Sequence, residues 1–184
     1  MDKLGMNKFF ALMVLAALPL SASAHGPSPQ KVEKTIVIKA APAKVWAIVK
    51  DFGHLETWLP PVASTKLETK KDENGVEGIY RTLTLKDGGV INEHLKSSDD
   101  AAMKLKYEIV GGVAPVKDYN STIAVTAGPG AGETTVTWTG RFYRLYSLNP
   151  PIPAGQDDET ATKFVNTVYD AGLPTLKKVA EDSK

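Results

Sequence analysis

From Ala63 to Leu145 apolar and polar residues alternate with a period of two, and five clusters of turn residues cut the alternation into six runs. That period is the repeat of a strand with one face buried and the other wet. The runs are Ala63 to Thr69, Gly78 to Lys86, Val90 to Ser97, Met103 to Val110, Tyr119 to Ala127 and Thr134 to Leu145. The breaks between them, "KDENG", "KDGG", "SSDDA", "GGVAPVKD" and "AGPGAGE", supply the Gly, Asn, Asp and Pro that turns require. Strands joined by breaks this short pair as neighbours, so the pattern predicts an antiparallel meander. Alternation also assigns the buried face: Ile79, Leu83 and Leu85; Ile91 and Leu95; Met103, Leu105, Tyr107 and Ile109; Ile123 and Val125; Val136, Trp138 and Phe142.

A sheet with one apolar face needs a cover. Upstream, "EKTIVIK" at Glu33 to Lys39 reads as a further strand. Pro42 suits a first helical position, and Val45, Trp46 and Val49 recur at helical spacing. "LPPV" at 59–62 stops any helix there, and His54 to Pro61 is expected to form a short second helix and a loop. Downstream, "SLNPPIPAGQ" leads into a long amphipathic segment with acidic residues at its start and lysines near its end. Phe164, Val165, Val168, Leu173, Leu176 and Val179 mark its apolar stripe, and Pro174 should kink it near Gly172. Only this helix is long enough to cover the sheet. The expected fold is α+β, a curved antiparallel sheet wrapped around a C-terminal helix, with a ligand-sized space between them.

The first residues read as a secretory leader: Lys3 and Lys8, a 12-residue apolar run from Phe9 to Leu20, then Ala22-Ser23-Ala24. A span needs about 20 apolar residues, so the run is too short to cross a bilayer. Cleavage after Ala24 would leave residues 25–31 as a flexible lead-in and 32–184 as a single domain, exported to the periplasm. The chain has 22 Lys and Arg against 21 Asp and Glu, and removing Asp2, Lys3 and Lys8 leaves it formally neutral. Neutrality argues against nucleic acid or an anionic membrane surface as partner. With no cysteine, disulfides, thiolate chemistry and cysteine-held metals are excluded.

Two charged residues on the apolar face need a reason. Arg81 shares parity with Leu83, and Glu93 lies between Ile91 and Leu95. They either pair with each other or orient a ligand, and the two roles are compatible. A general-base role for Glu93 would require a raised pKa and a substrate. Trp46 and Trp138 are expected in the core, whereas His54, Trp58, Leu59 and Pro60 are placed at the cavity rim, with Tyr146 by the second proline loop. His94 should point to solvent. His25, as a new N-terminus, is the one candidate metal ligand, its amine and imidazole together suiting copper. No histidine, carboxylate and nucleophile fall on one surface, and no cofactor is expected. "DFG" at 51–53 lacks the glycine-rich loop, strand lysine and catalytic loop of a kinase magnesium site, and reads instead as a pocket lip.

The order and spacing of "VWAIVKDF", "GIYRTLTLKDG", "VINEHL", "YEIVGG" and "TVTWTGRF" resemble the START-like (SRPBCC) helix-grip superfamily, in its polyketide cyclase/dehydrase branch, from Val32 to Val179. The resemblance implies a Bet v 1-like fold with an apolar cavity; carriers, receptors, cyclases and accessory proteins share it. A closer likeness to plant abscisic-acid receptors implies that Arg81, Glu93, Tyr119, Phe164, Val168 and Gly172 face the cavity, joined by Tyr107 and Trp138. Leu59 stands where those receptors carry a carboxylate-binding lysine, which leaves Arg81 as the expected carboxylate anchor. The leader and "HGPSPQKVEKTIVIKAAPAKVWAIVKDFG", with "YDAGL" in the last helix, are similar to MxaD-type periplasmic proteins of methanol oxidation. That likeness implies a non-catalytic accessory role beside methanol dehydrogenase and its cytochrome c. The alternatives are a carrier of a small hydrophobic ligand or lipid and a cyclase- or hydrolase-like enzyme.

Overall fold

The structure, a computed structural model, describes residues 26–182. The expected leader and cleavage site, together with His25, lie outside the described residues. Strand β1 (Gln30–Ile38) is followed by helix α1 (Pro42–Val49) and a single 3₁₀ turn at Leu55–Thr57. The meander follows as β2 (Val62–Lys71), β3 (Glu77–Leu85), β4 (Val90–Asp99), β5 (Lys104–Gly112), β6 (Val116–Ala127) and β7 (Thr134–Arg144), and helix α2 (Asp158–Asp182) comes after it. All seven strands form one antiparallel sheet in the order β1-β7-β6-β5-β4-β3-β2.

The turns explain the hairpins. Between β2 and β3 the Asp72 carboxylate accepts hydrogen bonds from the backbone N–H of Asn74 and of Val76, both at 2.8 Å, and Gly75 takes φ +78°. Between β3 and β4, Asp87 accepts from Gly89 N–H at 2.9 Å and Gly88 takes φ +88°. Register shifts in β2, β4 and β6 bend the strands around the helix. The shift in β6 surrounds Asp118, a non-glycine residue at φ +51°, and it brings Val116 and Lys117 into pairing with Arg144 and Tyr143. Strand β6 therefore starts in what reads from sequence as a turn. Strand β1 likewise starts inside the expected lead-in, because Gln30 and Lys31 pair with Phe142 and Arg141.

Helix α2 fills the concave side. Ala161, Val165, Tyr169, Gly172, Leu173, Leu176 and Ala180 are all buried at helical spacing. Each large apolar side chain in such a stripe contributes about 1.5–3 kcal/mol. Asp157 accepts from the Thr160 N–H at 2.7 Å to start the helix. Lys34 pairs with Asp170, Lys177 donates to the Val37 carbonyl and Glu181 accepts from the Lys39 N–H, which fastens α2 along the β1 edge. The helix runs through Pro174 without ending, and no basic residue sits in its last turn. Ile79 has the expected parity but is 43% exposed, because it lies far out on the β2–β3 hairpin while α2 packs on β1 and β7. Among the described residues no helix is long and apolar enough to cross a membrane.

Candidate ligand cavity

The concave face and α2 do not close completely on each other. They leave a cavity of about 70 Å³. Leu55, Leu59, Pro61 and Val62 form one wall; Leu83 and Leu85 of β3, Ile91 and Glu93 of β4, and Tyr107 and Ile109 of β5 form the floor. Tyr119 of β6, Trp138 of β7 and the α2 residues Phe164, Val165, Val168 and Tyr169 complete it. The volume is well below the roughly 300–1,000 Å³ of pockets for drug-sized ligands.

Aromatic side chains occupy the rest of the interior. Trp138 stacks on Tyr169 with ring centroids 4.1 Å apart and meets Trp58 edge-on at 5.4 Å. Gly172 makes this possible. A β-carbon there would lie 2.9 Å from Trp138 Cζ3 and 3.0 Å from Leu59 Cδ1. A β-carbon on Gly140 would similarly lie 2.5 Å from the Tyr169 hydroxyl.

Trp58 Nε1 is buried without a partner, but the other polar atoms of this cluster bond one another. Trp138 Nε1 donates to Ser121 Oγ at 2.9 Å and to Tyr107 Oη at 3.1 Å, while the hydroxyls of Tyr119 and Tyr169 are 2.8 Å apart. Burial pushes the Tyr107 phenol up to about 12, with the Glu93 charge adding to the shift. Burial likewise holds the Tyr119 and Tyr169 phenols well above the usual tyrosine range. None of the three is suited to act as a base.

Arg81 and Glu93 face each other across β3 and β4 and are both buried. Arg81 Nε donates to Glu93 Oε2 at 2.5 Å, and Arg81 Nη1 donates to the Phe52 carbonyl at 3.3 Å. The guanidinium also lies 3.9 Å from the Phe52 ring centroid and 5.0 Å from that of Tyr107. Burial pushes the Glu93 carboxyl up, and Arg81 pulls it part of the way back. Arg81 therefore does not line the cavity, where it was expected, and its Nε and Nη1 are already engaged by Glu93 and Phe52.

Several other expected positions differ. Trp58 is not a rim residue: it is 1% exposed, locked between Trp138 and Gly172. His54 and Pro60 are exposed and lie outside the wall, whereas Leu59 and Pro61 form it. Gly172 underlies the tryptophans instead of lining the space. His54 Nδ1 bonds the Asp51 carboxylate at 2.9 Å, and that carboxylate raises the pKa of the imidazole. Asp51 also accepts from Gly53 N–H, so the "DFG" segment is a local turn whose phenylalanine clamps Arg81. His94 stacks on Tyr80 and bonds Glu108 on the outer face of the sheet. Tyr107, Tyr119, Trp138, Phe164, Val168 and Glu93 do line the cavity. Sequence reasoning missed Tyr169, although its place one helical turn after Val165 was a usable signal. Among the described residues no group of three or more His, Asp or Glu is placed to hold a metal ion.

The fold agrees with comparison to known proteins. The family model described as polyketide cyclase / dehydrase and lipid transport matches residues 29–181. The chain belongs to this family. Among family relatives, the abscisic acid receptor PYL10 of Arabidopsis thaliana is 31% identical over 147 residues, covering 78% of this chain and 75% of the receptor. The protein XoxI from Bacillus cereus superposes with a TM-score of 0.64 at 28% identity, over 83% of this chain and 96% of that one. The Zhui aromatase/cyclase from Streptomyces sp. R1128 superposes with a TM-score of 0.64 at 15% identity, over 84% and 94% of the two chains, a likeness of fold alone. The architecture is the START-like helix grip. Family and fold support a hydrophobic ligand-binding role. Since a receptor and an aromatase/cyclase are both similar to it, catalysis must be judged from the site.

Proposed function

We propose that the protein is a non-catalytic periplasmic binding protein that assists methanol oxidation, and that its cavity encloses a small, largely apolar ligand. The observation that carries the binding reading is the cavity wall itself. Its only side chain with acid-base chemistry besides the high-pKa tyrosines is Glu93, and Arg81 holds that carboxylate. A catalyst of the cyclase or hydrolase kind needs a free acid, base or nucleophile aimed at a substrate. The volume of about 70 Å³ also argues against a lipid-sized cargo in this conformation.

Binding is tested by titrating ¹⁵N-labelled protein with methyl propyl ether, a small apolar probe. Saturable shifts at Leu83, Tyr107 and Val168, weakened by Phe164→Asp, are expected; no saturable shift from this ether or from its isomer butan-1-ol, butylamine or butyrate would overturn the binding reading. The accessory reading is supported by the sequence likeness to the MxaD-type proteins. It is tested by adding the protein to purified methanol dehydrogenase and its cytochrome c, where faster electron transfer is expected. An unchanged rate at low and moderate salt would remove it.

A further inference from the structure

The cavity contains a carboxylate and no cation. Lysine, arginine and histidine are absent from its wall; Arg81, which bonds Glu93, does not line it, and its guanidinium lies against the Phe52 and Tyr107 rings. Leu59 makes the opposite wall apolar. Arg81 takes Oε2 of Glu93, but a carboxylate has room for several donors. The hydroxyls of Tyr107, Tyr119 and Tyr169 are engaged with one another or with Trp138 and Ser121. The strongest unused hydrogen-bonding capacity in the wall is therefore an acceptor, on Glu93.

We propose that the cavity selects a small neutral alcohol, its hydroxyl donating to the Glu93 carboxylate and its short hydrocarbon body packed against Leu83, Ile91 and Val168. The proposal rests on the binding reading above and names its ligand class. Three physical arguments favour an alcohol over its relatives. A carboxylic acid would bring a second carboxylate against Glu93 with no cation to receive it. An amine would bring a buried ammonium to a carboxylate already balanced by Arg81, so its desolvation would go uncompensated. An ether or alkane of the same size fills the space but leaves the acceptor unpaired. Size sets the limit as well: an apolar cavity of about 150 Å³ holds benzene, so one of about 70 Å³ calls for a shorter molecule.

The test compares butan-1-ol with its isomer methyl propyl ether, which has the same atoms and no O–H, and with butylamine and butyrate, each titrated into ¹⁵N-labelled protein at neutral pH. Butan-1-ol is expected to bind about tenfold or more tightly than the ether, with butylamine weaker than the alcohol and butyrate without saturable shifts. In the Arg81→Met/Glu93→Leu double variant the alcohol-to-ether ratio should fall to about one while the ether still binds. Equal affinities for alcohol and ether in the wild-type protein would overturn the proposal yet leave the binding reading intact, and this comparison needs no variant to fold. Tighter binding of butyrate than of butan-1-ol would also overturn it. No saturable binding of any of the four would remove the binding reading itself.

Discussion

Replacing Arg81 with alanine should be among the most damaging single changes in the domain, whereas replacing it together with Glu93 should be nearly harmless. The side chains of the pair are 3% and 6% exposed. Removing the arginine leaves Glu93 without its counter-charge in the interior, a change that costs about 3–5 kcal/mol. The guanidinium also stacks on Phe52 at 3.9 Å and bonds its carbonyl, but those losses overlap with the first and do not simply add. Against a total stability of about 5–15 kcal/mol, a loss near 4 should lower the urea midpoint by about 2 M. The double variant Arg81→Met/Glu93→Leu removes both charges and keeps the volume, and should fall within about 1 kcal/mol of the wild type. Urea unfolding followed by tryptophan fluorescence measures both. The single variant carries a pH signature too. Glu93 already has a folded pKa above its unfolded value, and losing Arg81 raises it further. A group shifted that way contributes most below its unfolded pKa and loses that contribution as pH rises through the folded one. The penalty of Arg81→Ala should therefore shrink as pH falls from neutral toward the ordinary glutamate range. A penalty under about 1 kcal/mol, or a double variant as unstable as the single, would refute the account of the pair as a buried, charge-balanced unit.

Other expectations follow from the aromatic packing and the turns. Gly172→Ala gains up to about 1 kcal/mol of helix propensity but drives a β-carbon to 2.9 Å from the Trp138 ring, so calorimetry should show net destabilisation of about 1–2 kcal/mol. Trp58 Nε1 is buried without a partner whereas Trp138 Nε1 donates twice, so Trp138→Phe should cost about 1 kcal/mol more than Trp58→Phe in the same unfolding assay. Tyr107 ionises near 12 when folded and near 10 when unfolded, so its contribution of about 3 kcal/mol is present below pH 10 and lost as pH rises toward 12. Tyr107→Phe should flatten alkaline unfolding over that window. Gly112 has φ +113° and a β-carbon there would run into the Val90 carbonyl, so Gly112→Ala should lower the melting temperature by several degrees.

The meander was legible because period two and turn chemistry are local. All six alternating runs are strands, and the residues assigned to the concave face of β5, β6 and β7 are the ones that pack there. What was not legible depends on partners distant in sequence. Nothing local announces that Gln30 and Lys31 pair with β7, or that Val116 and Lys117 continue β6 across the bulge at Asp118. The site shows the same division. Parity put Arg81 and Glu93 on the buried face, but both share that face whether or not they reach the cavity. Parity could not show that Glu93 alone of the pair lines the cavity, or that Phe52, 29 residues earlier, meets the guanidinium with its ring and carbonyl. Trp58 misled for a related reason: a tryptophan before a proline loop looks like a lip, and only Gly172, far along the chain, creates the slot that buries it.

Cavity size and cavity chemistry have a common origin in these long-range contacts. Gly172 and Gly140 let Trp58, Trp138 and Tyr169 pack into the space between sheet and helix, which leaves about 70 Å³ open. A cavity that small cannot gain much affinity from apolar area, since even a fully buried ligand of a few carbon atoms gains only about 0.8 kcal/mol per methylene. Selectivity must then come from polar contact, and the one open polar group is the carboxylate that Arg81 steadies from behind. Had Arg81 pointed inward, the same cavity would favour an anion. Because Arg81 pairs with Glu93 from outside the lining, the wall presents an acceptor whose charge is already balanced, and the small volume makes that single acceptor decisive.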